Sequence, residues 1–113
     1  MRLYIATPIN ARKEGTFGEK YWAAKKRIDR LKDVLCSTGS FAGWEAVGGP
    51  DVCPLNMEEN AARLRCIQTL LACDAIYLDT GWERSTGCRA ERDAADRYKI
   101  PIYTYDGKVI NVF

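Results

Sequence analysis

The chain contains no histidine among its 113 residues, and this absence excludes several common kinds of active site. Serine–histidine and cysteine–histidine nucleophile pairs both need an imidazole base, so neither can occur here. Metal sites with histidine ligands are excluded for the same reason, and we expect no metal and no other cofactor. The chemistry that remains rests on carboxylates, hydroxyls, thiols and backbone groups.

Long apolar stretches, a strong excess of one charge and Cys-x-x-Cys pairs are also missing. Seventeen basic and fifteen acidic residues give a net charge of +2, which gives no reason to expect a nucleic-acid polymer as partner. No apolar run is long enough to cross a bilayer, so we expect no membrane partner. The five cysteines are an odd count without a signal peptide, which favours reduced thiols and a cytoplasmic location.

A length of 113 residues suits a single domain, and the hydrophobic patterning predicts alternating strands and helices within it. Leu3 to Ala6 and Ala75 to Asp79 are apolar runs typical of central parallel strands buried on both faces. The other predicted elements are a loop over 10–18, a helix over 19–36, a strand within 41–47, a loop over 48–56, a helix over 57–72, a helix over 87–98, a strand over 100–104, and a turn at 106–107 into a strand over 109–113. This order predicts a three-layer α/β sandwich over 1–113, with a mainly parallel sheet and an antiparallel C-terminal strand.

Each predicted helix carries an apolar stripe that we expect to face the sheet. The stripe of the first helix consists of Tyr21, Ala24, Ile28, Leu31, Val34 and Leu35. The stripe of the second consists of Met57, Ala61, Leu64, Ile67 and Leu71, and Asn56 with Glu59 resembles a capping box at its start. The face of the third consists of Gly87, Glu91, Ala94, Ala95 and Tyr98.

Glu91 is the most informative residue, because it puts a carboxylate on a helix face that is otherwise small and apolar. Burial of a bare charge costs several kcal/mol, so this carboxyl must be paired, protonated or used. The residue also lies near the start of a helix that follows a strand, where α/β folds bind their ligands. A structural role stays open at this stage, since Glu91 could pair with Arg84 or Arg89.

Further candidates lie at the predicted carboxyl ends of the strands, where an open parallel sheet forms its ligand crevice. The stretch from Ser85 to Gly87 starts the third helix, and its N–H groups could bind a phosphate or its hydroxyls could simply cap the helix. Tyr4 could be a core residue. Trp82 could anchor its loop or stack on a base, and Asp79 could close a turn or bind a sugar hydroxyl.

Three segments taken together resemble the nucleoside 2-deoxyribosyltransferase-like superfamily, in particular its short uncharacterised prokaryotic members. They are Tyr4-Ile5-Ala6-Thr7-Pro8-Ile9, Cys73-Asp74-Ala75-Ile76-Tyr77-Leu78 and Gly81-Trp82-Glu83-Arg84-Ser85-Thr86-Gly87-Cys88-Arg89-Ala90-Glu91. The likeness covers most of the chain in order and spacing. It implies a flavodoxin-like fold and cleavage of the N-glycosidic bond of 2'-deoxynucleosides or their 5'-monophosphates.

The resemblance also implies roles for individual residues. Glu91 matches the glutamate that attacks the anomeric carbon and forms a glycosyl-enzyme intermediate. Tyr4 matches the tyrosine of the first strand that positions this glutamate, and Ser85 matches the serine that contacts phosphate. The substrate-binding residues expected around them are Thr7, Pro8, Ile9, Asp79, Trp82, Ser85, Thr86 and Gly87.

Two positions differ from the superfamily pattern. Cys66 stands where an aspartate usually helps the base to leave, and a neutral thiol is a poor substitute for a carboxyl that transfers a proton. Thr7 stands where a glycine is usual, and its branched side chain narrows the approach to the backbone. Three functions therefore stay open: an enzyme that cleaves or transfers a 2-deoxyribosyl group, a non-catalytic module that binds a nucleotide or sugar phosphate, and an assembly component whose pocket is vestigial. For the first two functions the expected partner is a small-molecule nucleoside or nucleotide, and the resemblance implies a homodimer or higher homo-oligomer.

Overall fold

A five-stranded sheet with the order β2-β1-β3-β4-β5 forms the middle layer of the fold. The structure, a computed structural model, describes residues 1–9, 15–107 and 109–111. The strands are β1 (Arg2–Ala6), β2 (Glu45–Gly48), β3 (Ala75–Leu78), β4 (Ile102–Thr104) and β5 (Val109–Asn111). β1 pairs in parallel with β2 and β3, β3 pairs in parallel with β4, and β5 lies antiparallel beside β4.

Helices cover both faces of this sheet, so the predicted α/β sandwich with its parallel sheet is confirmed. They are α1 (Phe17–Ser37), α2 (Gly49–Val52), α3 (Glu59–Leu71) and α4 (Thr86–Arg97), with short 3-10 turns at Gly39–Phe41 and Trp82–Arg84. The strand order and the helices on both sides are those of a flavodoxin-like fold.

Two separate cores follow from the alternation of side chains along the central strands. Leu3, Ile5 and Tyr77 point to one face and pack against Ile28 and Leu31 of α1. The opposite face carries Tyr4, Ala6, Ile76, Leu78 and Ile102, which pack against Leu70, Cys88 and Ala95 of α3 and α4. Because both faces of β1 and β3 are covered, these strands read as continuous apolar runs in the sequence.

The first helix agrees closely with its predicted position. Thr16 caps α1 by accepting a hydrogen bond from the Glu19 backbone N–H at 3.2 Å, which explains the start two residues before the predicted one. Tyr21, Ala24, Ile28 and Leu31 are buried as expected. Val34 is 62% exposed, so its assignment to the inner face was wrong.

The prediction for α3 was wrong about both its start and its inner face. Glu58 rather than Asn56 caps the helix, and its carboxylate accepts hydrogen bonds from the N–H groups of Asn60 and Ala61. Leu64 and Leu71 are 58% and 40% exposed, whereas Leu70 is fully buried. The helix carries apolar residues on two faces, so periodicity alone allowed two rotations, and packing against the sheet selected the other one.

Smaller differences concern element ends. The segment 48–56 was predicted as a loop but contains α2, in which Pro50 lies in the first turn and Asp51 accepts a hydrogen bond from the Gly48 N–H at 2.8 Å. The strand predicted within 41–47 begins at Glu45 and ends one residue beyond that segment, at Gly48, whereas Phe41 belongs to a 3-10 turn. Tyr98 lies just past the end of α4 and is 61% exposed, so its place on the inner face was wrong. Parts of the predicted loop over 10–18 and of the predicted strand over 109–113 lie outside the described residues.

Candidate functional site

A cavity of about 690 Å³ opens at the carboxyl end of β1. The chain leaves β1 to form β2 on one side and then crosses to β3 on the other, so that this end of β1 lies at the topological switch point of the sheet. The residues of β1 and its following loop that line the cavity are Tyr4, Ile5, Ala6, Thr7 and Ile9. The other walls come from α1, α2, α3 and the first turns of α4.

Glu91 lines this cavity from the second turn of α4. It is only 8% exposed, as its place on the apolar face predicted, and its Oε2 atom has no hydrogen-bond partner within the described residues. Burial raises the pKa of the Glu91 carboxyl from 4.5 to about 7, although a hydrogen bond with Tyr4 acts in the opposite direction. The ion pairs found among the described residues do not include Glu91, so pairing with Arg84 or Arg89 is not its role there.

Tyr4 reaches Glu91 from the middle of β1, across the floor of the cavity. Its side chain is 1% exposed, and its hydroxyl interacts with both the Glu91 carboxyl and the Cys66 thiol. Burial first, and then the negative charge of Glu91, raise the pKa of Tyr4 well above its ordinary value. The phenol therefore stays protonated and can donate to an ionised Glu91 at neutral pH.

Cys66 completes this group from α3. The thiol lines the cavity, and burial together with the charge of Glu91 raises its pKa above the ordinary range. A proton held this tightly is a poor source for a departing base. The backbone of Gly49 closes the floor beside it, since a side chain added at that glycine would meet Cys66 Sγ at 3.2 Å and the Tyr4 hydroxyl at 3.7 Å.

The start of α4 forms a second wall of the cavity. Ser85 caps the helix, with its Oγ accepting a hydrogen bond from the Cys88 N–H at 3.2 Å. Ser85, Thr86 and Gly87 all line the cavity together with the preceding Arg84. The capping interpretation of Ser85 is therefore correct. Because Ser85 caps the helix only through its Oγ lone pair, its hydroxyl proton and the other N–H groups of the first helical turn can still bind an anion in the cavity.

Three of the candidate residues lie elsewhere. Asp79 follows β3 and is 2% exposed, but it belongs to a separate depression on the α1 side together with Pro8. Its carboxylate accepts two hydrogen bonds from Arg27, at 2.9 and 3.0 Å, and another from the Thr7 hydroxyl at 3.2 Å. Trp82 packs against the α3–α4 core and does not line the large cavity.

Other cavity residues were not among the sequence candidates. Phe17 and Tyr21 of α1, Gly49 and Pro50 of α2, Cys53 after it, and Arg63 of α3 all line the cavity. The Gly48-Gly49-Pro50 stretch offered one usable signal, because a proline in a first turn favours a helix start. The others are core or surface residues by sequence, and only the packing of α1 and α3 brings them to the site.

Within the part of the chain that the structure describes, no group of three or more Cys, Asp and Glu side chains has an arrangement that would hold a metal ion. None of the helices within the same residues has the length and apolar character needed to cross a membrane.

Comparison with known protein families gives a match over most of the chain. The sequence model of a domain of unknown function, DUF4406, matches residues 1–104. No curated protein and no solved structure gives a significant match to the chain.

Proposed function

We propose that this chain, which belongs to the DUF4406 family, cleaves the N-glycosidic bond of 2'-deoxynucleosides or their 5'-monophosphates. The observation that carries the proposal is the Glu91 carboxyl: buried, with an unpartnered Oε2, beside Tyr4 in a cavity at the switch point of the sheet. A buried oxygen without a partner costs free energy. A reacting carbon that develops positive charge at this position would offset that cost.

Glu91 is the nucleophile in this mechanism. Its carboxylate oxygen forms a bond to the anomeric carbon while the bond from that carbon to the base nitrogen breaks, and the electron pair of that bond leaves with the base. Tyr4 holds the carboxyl in place through its hydroxyl. Water or a second base then attacks the same carbon and releases Glu91, as in retaining glycosidases.

The first turn of α4 is the proposed site for a 5'-phosphate. Free N–H groups at a helix start attract anions, and Arg84 adds a positive charge at the same cavity wall. Ser85 lies six residues before Glu91, so the phosphate and the anomeric carbon of one nucleotide would meet the same helix. The sequence resemblance to the nucleoside 2-deoxyribosyltransferase-like superfamily supports the same assignment, and with it a homodimer or higher homo-oligomer. The odd number of cysteines supports a cytoplasmic location.

The test incubates a panel of deoxynucleosides and their 5'-monophosphates with a high concentration of the protein. Chromatography then measures the release of free base. We expect wild-type protein to release base. Glu91→Gln should release it at least about a thousandfold more slowly, because the amide is a poor nucleophile. The rate should rise with pH through about 7, where the Glu91 carboxyl ionises.

Glu83→Gln is the matched control, since Glu83 is exposed in the turn before α4 and does not line the cavity. It should keep the full wild-type rate. The proposal fails if no substrate in the panel releases base, or if Glu91→Gln and Glu83→Gln release it equally well.

A second candidate function is a module that binds a nucleotide or sugar phosphate without turnover. The observation that favours it is Cys66, whose raised pKa keeps the thiol neutral where the resemblance implies a proton-transferring carboxyl. This function predicts a rise in melting temperature with nucleotides, no free base, and no activity after Cys66→Asp. Base release by the Cys66→Asp variant alone would instead identify an enzyme that has lost its leaving-group acid.

A further inference from the structure

Two cysteine side chains meet at the cavity wall, although they lie 13 positions apart in the chain. Cys53 Sγ and Cys66 Sγ are 3.5 Å apart, and both residues line the cavity. All the cysteines of the chain are free thiols in this structure. The S–S bond of a disulfide is about 2.05 Å long, so that closing it requires the two sulfurs to approach by about 1.5 Å.

The surroundings of Cys53 keep its sulfur directed at α3. Its backbone N–H donates to the Gly49 carbonyl at 3.0 Å, and its own carbonyl accepts the Tyr21 hydroxyl at 2.7 Å. The thiol contacts the Ala62 carbonyl at 3.4 Å, one helical turn before Cys66. These three contacts hold Cys53 in place, with its sulfur facing the sulfur of Cys66.

We propose that Cys53 and Cys66 form a redox modification site that closes to an intramolecular disulfide under a peroxide. The Cys53 thiolate attacks the peroxide O–O bond, forming a sulfenic acid and releasing an alcohol or water. The Cys66 sulfur then forms the S–S bond, and its proton leaves with the sulfenic oxygen as water. The two thiols lose two electrons in total, which the peroxide accepts.

The cavity gives the oxidant access to the two thiols, and the disulfide would change the floor of the same cavity. Cys66 is half-buried and lines the open cavity, so a small peroxide reaches the pair from that side. The Tyr4 hydroxyl interacts with both Glu91 and Cys66 in the reduced protein. Closing the disulfide takes the Cys66 thiol away from Tyr4 and links the segment after α2 to α3 at the floor of the site.

The test treats the reduced full-length chain with hydrogen peroxide, then denatures it and alkylates the free thiols before measuring the intact mass. We expect three alkyl groups instead of five and an intact mass that corresponds to a single chain. Non-reducing trypsin digestion should join the peptide 33–63 to the peptide 66–84. The closed loop should raise the melting temperature by at least about 5 °C.

The same two peptides also contain Cys36 and Cys73, so variants assign the bond. Cys36→Ser and Cys73→Ser should still form the crosslink, whereas Cys53→Ser and Cys66→Ser should not. Five alkylated thiols after peroxide, a crosslink that persists in Cys53→Ser, or a disulfide between two molecules would overturn the proposal. If a serine variant fails to fold, fragmentation of the crosslinked wild-type peptides in the mass spectrometer locates the two bonded cysteines. The outcome does not depend on whether the protein releases a base.

Discussion

At the scale of single residues, Glu91 shows two opposing effects on one carboxyl. Burial favours the neutral acid, and the hydrogen bond from Tyr4 favours the ionised form. Burial is the stronger effect, because the pKa rises from 4.5 to about 7. At neutral pH the site therefore contains both the acid and the carboxylate, and only the carboxylate can act as the nucleophile.

This pKa makes the stability of the protein depend on pH through Glu91. Its folded-state pKa lies above the unfolded value, so its contribution is fully present below pH 4.5 and is lost as the pH rises through about 7. The difference between these two pKa values corresponds to at most about 3 kcal/mol of unfolding free energy. We expect Glu91→Gln to be more stable than wild type at pH 8, with a gap that shrinks towards pH 5, as measured by urea unfolding.

The exposed Glu83→Gln variant serves as the comparison for the pH series. Its unfolding free energy should follow the wild-type curve at every pH. A constant difference between Glu91→Gln and wild type from pH 5 to pH 8 would contradict the raised pKa of Glu91.

At the scale of elements, the first turn of α4 combines a structural and a proposed binding role. Removal of the cap by Ser85→Ala should cost about 1 kcal/mol of unfolding free energy, because the Cys88 N–H loses its acceptor. Ser85→Asp should keep the wild-type stability, since aspartate is an equally good cap. Its negative charge should nevertheless abolish the melting shift caused by a 5'-monophosphate.

The comparison of these two variants separates capping from phosphate binding. If Ser85→Asp binds the monophosphate as well as wild type does, the phosphate does not lie at this helix start. Thermal melting without the nucleotide measures the stability of each variant, and melting with the nucleotide measures its binding.

The rotation of α3 gives a second prediction at this scale. Leu70→Ala should cost about 2–5 kcal/mol, because the side chain is fully buried against the sheet. Leu64→Ala is the matched change on the outer face, where the side chain is 58% exposed, and should cost less than about 1 kcal/mol. Equal costs in chemical denaturation would mean that α3 is rotated relative to the structure described here.

At the scale of the whole molecule, the Arg27–Asp79 pair joins the α1 layer to the edge of the sheet where the site lies. Asp79 is buried at the end of β3, and Arg27 reaches it from α1 with two hydrogen bonds. Arg27→Met keeps most of the aliphatic packing but leaves the carboxylate with fewer donors. We expect a loss of about 1–3 kcal/mol in urea unfolding, below the cost for a fully buried pair because Arg27 is 42% exposed.

Two further variants check this reading of the pair. Arg30→Met makes the same change at an exposed position of the same helix and should be nearly neutral. Asp79→Asn added to Arg27→Met should recover part of the loss, since it removes the unpaired charge. If the double variant is less stable than Arg27→Met, the charge of Asp79 is not the source of the effect.

Much of the site could be anticipated because its key signals are local in sequence. A carboxylate on an apolar helix face marked Glu91, and a run of small residues after a strand marked Ser85 to Gly87. Asp79 and Trp82 also follow a strand closely, but they do not line the large cavity. Side chains alternate between faces, and a turn of two or three residues redirects them, so that nearness in sequence did not place them in the cavity.

The sequence by itself determined the order of strands and helices, the parallel sheet and the burial of Glu91. Apolar periodicity and chain connectivity are enough for these, because each depends on neighbouring residues. Only the tertiary structure decided the rotation of α3, the helix α2 in a predicted loop, and the meeting of Tyr4, Cys66 and Glu91 with Cys53 beside them. These features depend on how the helices pack on the sheet, and a helix with apolar residues on two faces does not specify that packing locally.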